Sequence, residues 1–176
     1  SKRAAEEALL ELTDQDFQPT IFRKGTIYGF SPKMRYDLVL NSFTKDAFHK
    51  RHIIVHAGGE IYRPMLDLLD TVAAHITALE LPLETIGGKI FNLLNSNWRI
   101  GDLSDYFKDM IKTHKNISVN IDIHPVGITR NYRADDSNFK KVLNLKPRLI
   151  EDAILEIWQE LENGHNFNDL RYYNDL

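Results

Sequence analysis

Five arginines are the residues of this sequence whose chemistry most directly suggests a binding site. Arg23, Arg35, Arg63, Arg130 and Arg133 mostly lie at or near the ends of predicted strands and in loops. A guanidinium group offers two parallel donors, which fit two oxygens of a phosphate. For any single arginine, pairing with a surface carboxylate is the simpler interpretation. By themselves, these residues are compatible with an anionic ligand but do not identify it.

Two histidines have the spacing of a helical zinc site. His52 and His56 are four residues apart, but the segment between them is Ile53-Ile54-Val55, which favours a strand. Four residues of a strand span about 13 Å, which is too far for two ligands of one metal ion. We therefore predict no metal site, and we interpret both histidines as surface or packing residues.

Several catalytic motifs are absent from the sequence. No G-x-G-x-x-G follows a strand, no phosphate loop ends in Gly-Lys-Ser/Thr, and no Gly-x-Ser-x-Gly elbow occurs. Gly58-Gly59 and Gly87-Gly88 are interpreted as tight turns. The sequence has no cysteine, which excludes disulfides, thiolate metal sites and a cysteine nucleophile.

Length and composition indicate one globular domain or part of one. The 176 residues are 43% hydrophobic and 27% charged, with a formal net charge of −3. The slightly acidic balance does not favour nucleic-acid binding, and no apolar run approaches the roughly 18 residues of a membrane span. Residues 1–7 lack the apolar stretch of a signal peptide. We expect a soluble, cytoplasmic protein that binds neither nucleic acid nor a membrane.

The elements that would position these residues alternate between helix and strand, which is an α/β pattern. Helices are predicted at residues 4–12, 35–50, 69–79, 102–113, 137–143 and 149–161. Strands are predicted at residues 19–28, 53–55, 61–66, 89–94 and 117–123. The first helix has no capping residue before it, so we expect that its beginning is missing.

Five segments, in order along nearly the whole chain, resemble the extended short-chain dehydrogenases/reductases, the family of nucleotide-sugar epimerases and dehydratases. Ser1–Glu6 is similar to the end of the family's Tyr-x-x-x-Lys helix, and Arg23–Gly29 to its R-x-x-N-x-Y-G strand. Gly58–Asp70 is similar to its G-x-x-x-R-D-F-x-H-V-x-D segment, and Gly88–Asn92 to its G-x-x-F-N strand. Asn131–Leu143 is similar to its closing D-x-S-K-x-x-x-x-L-G region. Each match is weak alone, and their order makes the signal specific.

The resemblance implies a two-part α/β fold that lacks the dinucleotide-binding half. Residues 1–30 would be the C-terminal end of a Rossmann-type domain, and residues 31–176 would form the small mixed α/β substrate-binding lobe. NAD or NADP would be bound mainly by the missing half. Lys2 would be the motif lysine, which holds the cofactor ribose and favours the phenolate of a tyrosine four residues upstream, before Ser1. On spacing alone, Lys2 is a solvated helix residue.

The resemblance also assigns substrate-binding residues. Arg63 matches the arginine at the substrate diphosphate or nucleotide, and Arg130 matches an arginine that contacts the nucleotide. Thr26 takes the place of the family's asparagine near the sugar. Arg35 and Asn41, on the helix predicted after Pro32, are weaker candidates for the diphosphate groove.

Besides Thr26, two further parts of the sequence depart from the family pattern. The family's R-x-G-D reads Pro125-Val126-Gly127-Ile128, so its acidic ribose contact is not evident. Asp67 replaces a common histidine, and we interpret it as structural.

The function implied is that of the C-terminal part of an NAD(P)-dependent epimerase or dehydratase that binds a nucleotide-diphosphate sugar. We expect the complete protein to form a homodimer through its first helix, and these 176 residues alone to be inactive. The alternatives are a nucleotide-sugar ketoreductase, a non-catalytic binding or interaction module that retains this lobe, and an excised portion of a longer protein. The residues leave open the nucleotide base, the sugar and the choice between NAD and NADP.

Overall fold

A computed structural model describes residues 2–125 and 130–173. In this part of the chain the helices are α1 (Lys2–Glu11), α2 (Val39–Lys50), α3 (Leu68–Glu80), α4 (Leu83–Ile86), α5 (Ile100–Lys115), α6 (Ser137–Leu143) and α7 (Ile150–Glu162). The strands are β1 (Ile21–Lys24), β2 (Thr26–Tyr28), β3 (His52–Val55), β4 (Tyr62–Asp67), β5 (Ile90–Leu93), β6 (Ser96–Arg99) and β7 (Asn120–Ile123). Short 3-10 turns occupy Ala57–Gly59 and Leu170–Tyr172. The predicted alternation of helix and strand is confirmed.

The strands form three small sheets. β1 pairs with β5 and β3 pairs with β7, both in parallel. β4 lies between β2, its parallel partner, and β6, its antiparallel partner.

The strand predicted at residues 19–28 changes sheets at Gly25. The amide of Gly25 donates to the carbonyl of Leu93 at 2.9 Å, which ends the pairing of β1 with β5. A Cβ atom at Gly25 would lie 2.7 Å from the carbonyl oxygen of Pro64, so only glycine fits between these two backbones. β2 then continues beside β4, with Thr26 opposite Met65.

Three hydrophobic clusters hold these elements together. The first lies among α2, α5, α7 and β3, and Phe43, Phe107 and Trp158 are among its members. The second joins β5 to α3 and α6, and the third packs α7 and the Leu170–Tyr172 turn against Met34 and Tyr36. α5 shows why these helices form, because its buried residues recur at helical spacing from Ile100 to Ile111.

The structure corrects two predicted elements. α2 begins at Val39 instead of near residue 35, since the amide of Tyr36 donates to the carbonyl of Tyr172 at 2.9 Å and Leu38 is extended. Arg35 therefore lies on the loop before α2 and not on the helix. β6 was not predicted, because Ser96–Arg99 is a polar segment that pairs with β4 through its backbone.

None of the helices in the described ranges is both long enough and apolar enough to cross a bilayer. The division of the chain near residue 30 stays a prediction. β1, which precedes that point, pairs with β5, which follows it.

Candidate functional site

A cleft of about 730 Å³ brings together most of the residues selected from the sequence. Lys2, Thr26, Arg35, Asn41 and Arg130 all line it, although they come from four separate parts of the chain. α1 contributes Lys2, β2 contributes Thr26, and the loop before α2 contributes Arg35. Below we call this space the cleft.

Cations dominate the polar surface of the cleft. Its lining includes Lys2, Lys24, Lys33, Arg35 and Arg130, and none of the described lining residues is an aspartate or glutamate. Arg35 is bound to Asp37, whereas the other four form no ion pair with a described carboxylate. A concave surface with one sign of charge raises the local concentration of ligands of the opposite sign. The cleft is therefore suited to an anion with several oxygens.

Asn41 fixes the loop that carries Arg35. Its side chain is 2% exposed, its Oδ1 accepts from the amide of Gly29 at 3.2 Å, and its Nδ2 donates to the carbonyl of Arg35 at 2.9 Å. Gly29 has a φ of 119°, in the left-handed region that favours glycine. Asn41 thus ties the end of β2 to the loop before α2.

The Arg35 side chain is oriented by a carboxylate on the same loop. Its Nε donates to Oδ1 of Asp37 at 3.0 Å, and its Nη2 donates to Oδ2. The hydrogen bond from Arg35 lowers the pKa of Asp37 below its ordinary value. The pair stays charged at neutral pH and holds the guanidinium at the cleft.

Arg63 does not line the cleft. Its Nη1 donates to the carbonyl oxygens of Tyr62, at 2.9 Å, and of Arg130, and its guanidinium lies 5.6 Å from the ring centroid of Tyr132. Arg63 therefore supports the segment that carries Arg130 and Tyr132. Its own side chain lines a neighbouring cavity of about 370 Å³, which we call the second cavity.

The second cavity is built on one face of α2. Val39, Ser42, Phe43 and Asp46 line it at helical spacing. Its other side contains Ile54 and His56 from the end of β3, Ile61 and Arg63 around the start of β4, and Ile100 at the start of α5. Thr26 and Leu38 line both cavities, so these two residues form a shared wall.

Asp67 has a structural role at the far end of β4. It caps α3, with its Oδ1 accepting from the amide of Leu69 at 2.7 Å, and Nη1 of Arg148 lies 3.6 Å from its Oδ2. Burial raises the pKa of Asp67 and also that of the neighbouring Tyr28 phenol. These contacts agree with the structural interpretation of Asp67.

The remaining arginines and histidines selected from the sequence lie elsewhere. Arg23 holds α1 against β1, with its Nη2 2.6 Å from Oε2 of Glu6, and Arg133 stacks 3.7 Å from the ring centroid of Tyr62. His52 pairs with Asp122 at 2.8 Å, and His56 lies on the rim of the second cavity. The departure from R-x-G-D at Val126, Gly127 and Ile128 falls outside the described residues.

Other lining residues of the cleft were not selected from the sequence, among them two lysines and a tyrosine. Lys24, Lys33 and Tyr132 each lie two positions from a residue that was selected, namely Thr26, Arg35 and Arg130. Lysines at the end of a strand or in a loop are common on any protein surface, so the residue type alone does not indicate a binding site. Their positions beside selected residues could have indicated them.

The fold is similar to those of several solved structures that contain NAD or NADPH. RMD from Pseudomonas aeruginosa, complexed with NADPH, matches with a TM-score of 0.73 and 17% identity, over 93% of this chain and 55% of that chain. A UDP-glucuronic acid 4-epimerase from Bacillus cereus, complexed with UDP-glucuronic acid and NAD, has a TM-score of 0.69 and 19% identity, over 90% and 50% of the two chains. A dTDP-glucose 4,6-dehydratase from Bacillus anthracis, complexed with NAD, has a TM-score of 0.70 and 15% identity, over 98% and 52%.

This chain has the fold of the C-terminal part of an extended short-chain dehydrogenase/reductase. The predicted fold class is thereby confirmed. No family model matches the sequence. The chain spans about half the length of the solved structures it resembles. The activity of the complete protein is therefore a proposal.

Proposed function

We propose that this chain is the C-terminal part of an NAD(P)-dependent nucleotide-sugar epimerase or dehydratase, and that the cleft binds its nucleotide-diphosphate sugar. The observation that carries the proposal is the grouping of Lys2, Thr26, Arg35, Asn41 and Arg130 around one cationic cleft. The sequence resemblance selects these residues from separate segments of the chain. The similarity of the fold to solved structures is independent support for that resemblance. A diphosphate offers the anionic oxygens that such a lining would bind.

In the proposed complex, the diphosphate lies between the guanidinium groups of Arg35 and Arg130. The sugar extends towards Lys2, and the nucleoside passes the shared wall of Thr26 and Leu38 into the second cavity. Arg63 is a close neighbour of Thr26, because Thr26 pairs with Met65 and residues two apart on a strand face the same side. Arg63 can therefore contact the substrate where it passes the shared wall.

Lys2 is the residue of this chain that would meet the cofactor. It lies on the exposed first turn of α1, and its ammonium group borders the cleft without an ion pair to a described carboxylate. When bound, NAD or NADP supplies hydride exchange with the sugar. In that arrangement Lys2 donates to the cofactor ribose and favours the phenolate of the tyrosine expected upstream. Without that tyrosine and the dinucleotide-binding half, we expect no turnover by residues 1–176.

An exposed apolar face supports the proposal that another half packs here. Leu69, Val72, Ile76 and Leu79 recur at helical spacing along α3 and are exposed, Leu79 by 87%. Beside them is a groove of about 730 Å³ that includes Leu9, Phe22 and Leu83. Among the described strands, β1 pairs with β5 alone. A dinucleotide-binding half could extend this sheet at β1 and cover the face.

Calorimetry with a panel of nucleotide-diphosphate sugars tests the proposed binding. We expect residues 1–176 to bind at least one of them, and Arg130→Ala to weaken that binding by about 10-fold or more, because a charge-assisted hydrogen bond is lost. Arg171→Ala is the matched control, since Arg171 is an exposed arginine paired with Asp169, away from the cleft. Binding that is absent, or unchanged in Arg130→Ala, would contradict the proposal.

A further inference from the structure

A segment that follows α7 packs against the loop that carries Arg35. Residues 165–173, which we call the strap, contain the Leu170–Tyr172 turn and contribute aromatic side chains to the third hydrophobic cluster. None of the strap side chains that the structure describes lines the cleft or the second cavity. The exposed Arg171 pairs with Asp169 within the strap itself and makes no described contact with the loop. The strap can therefore influence a ligand in the cleft only indirectly, through the residues that it holds.

The loop is thin between the strap and the cleft. Tyr36 is 0% exposed and lies in the same cluster as Tyr172, whereas its neighbour Arg35 lines the cleft, as does Lys33. Met34 is 4% exposed, belongs to that cluster and also borders the cleft. A shift of the strap would therefore reach the cationic lining directly.

A backbone hydrogen bond anchors the loop to the strap. The amide of Tyr36 donates to the carbonyl of Tyr172 at 2.9 Å, and the two rings lie edge to face with their centroids 5.6 Å apart. Residues 30–37 belong to no helix or strand, so tertiary contacts such as these and those of Asn41 determine where the loop lies. The contact with Tyr172 fixes the residue directly after Arg35.

The strap is itself held mainly by side chains. Nζ of Lys45 donates to the hydroxyl of Tyr173 at 3.2 Å, and the ring centroids of His49 and Phe167 are 4.0 Å apart, so both contacts attach the strap to α2. Within the described part of the chain, the bond to the loop is the one backbone–backbone hydrogen bond that joins residues 166–173 to another element. Segments with so few backbone hydrogen bonds open more readily than the core of a protein.

We propose that Tyr172 is a positioning residue for ligand binding, because docking of the strap holds Arg35 where it binds the diphosphate. When the strap opens, Tyr36 loses its hydrogen bond and its ring contact, and the loop is free to move Arg35 away from the ligand. Binding then has to order the loop, which lowers the affinity. The inference rests on the proposed function, since that function assigns Arg35 to the diphosphate.

Hydrogen–deuterium exchange of residues 1–176 tests this coupling without any substitution. Coupling between two sites is reciprocal, so a ligand held by Arg35 must stabilise the docked strap. With whichever of UDP-glucose, dTDP-glucose and GDP-mannose binds, we expect exchange of peptides that contain Tyr172 to slow by about 5-fold or more, although the strap lines neither cavity. Residues 108–115, at the end of α5, should show no change.

Substitution of Tyr172 tests the coupling in the other direction. Tyr172→Ala should weaken binding of the same nucleotide sugar by about 5-fold or more in calorimetry, and Tyr172→Phe, which keeps the ring, should bind as the unchanged chain does. In an Arg35→Ala background, Tyr172→Ala should cause a smaller further loss, because the contact that the strap positions is already absent.

Met110→Ala is the matched control for loss of stability. Met110 is 6% exposed, as Tyr172 is, but it lies on α5 in the first cluster and lines neither cavity. Met110→Ala should lower the free energy of unfolding and leave the affinity unchanged.

The outcomes separate the two proposals. Unchanged exchange of the strap on binding, full affinity of Tyr172→Ala, or an equal loss of affinity in Tyr172→Ala and Met110→Ala would overturn the positioning role but leave the cleft as a nucleotide-sugar site. Failure of all three nucleotide sugars to bind would overturn both proposals.

Discussion

Replacing Asn41 by alanine should loosen the loop that carries Arg35. The substitution leaves the amide of Gly29 and the carbonyl of Arg35 without their partners, which now lie 3.2 and 2.9 Å from the Asn41 amide. An unpaired buried polar group costs about 1–3 kcal/mol. Because Asn41 borders the cleft, water can reach part of the gap, so we expect a total loss of about 1.5–3 kcal/mol in the free energy of unfolding.

Urea unfolding at neutral pH, followed by far-UV circular dichroism, measures this loss. For a chain of this size, the expected destabilisation corresponds to a fall in the melting temperature of about 3–12 °C. Asn138→Ala is the matched control, since Asn138 is exposed on α6 and should change stability by less than about 0.5 kcal/mol. An Asn41→Ala protein as stable as the control would refute the role of Asn41 in fixing the loop.

Three further predictions concern other parts of the structure. Gly25→Ala should destabilise the chain by about 1–3 kcal/mol in urea unfolding, because the new Cβ would lie 2.7 Å from the backbone oxygen of Pro64; an unchanged free energy of unfolding would contradict this. Asp37→Asn should lower the free energy of unfolding at pH 7, and this loss should diminish as the pH falls below 3.8, the ordinary pKa of an aspartate. The reason is that a lowered pKa stabilises the folded state only while the carboxylate is charged. A loss that does not depend on pH would contradict this. Light scattering on the complete protein should detect a dimer that Ala5→Arg disrupts, since α1 has no buried residue and exposes the small side chains of Ala4, Ala5 and Ala8; a monomer unaffected by Ala5→Arg would show that α1 forms no interface.

The order of the elements could be predicted because hydrophobic periodicity determines it locally. In α5, buried residues repeat every three or four positions from Ile100 to Ile111, and this pattern is visible in the sequence. β6 was missed because its residues are polar and its pairing with β4 depends on the backbone. The start of α2 was placed too early, since Tyr36 and Leu38 continue the apolar pattern while a hydrogen bond to the distant Tyr172 holds Tyr36 outside the helix.

Residues of the candidate site could be selected from the sequence, but their arrangement around one cleft could not be predicted. Thr26 and Arg130 were selected by matching them to the family, and Arg35 by its place after Pro32; only the fold places the three around one cleft. Arg63 was expected at the same place, but it donates to the carbonyl of Arg130, 67 residues away in sequence, and its side chain faces the second cavity. A contact between such distant residues has no local signal in the sequence.

Hydrogen–deuterium exchange of residues 1–176, with and without a saturating nucleotide-diphosphate sugar, tests the central claim most directly. Bound ligand should slow exchange at the amides that surround the cleft, in residues 24–41 and 130–132, and past the shared wall at residues 42–46. Exchange at residues 75–86, on the α3 side of the groove, should stay unchanged, since the lining residues in this range belong to neither the cleft nor the second cavity. Protection confined to the α3 groove, or to any surface away from the cleft, would contradict the claim that the cleft binds the nucleotide sugar.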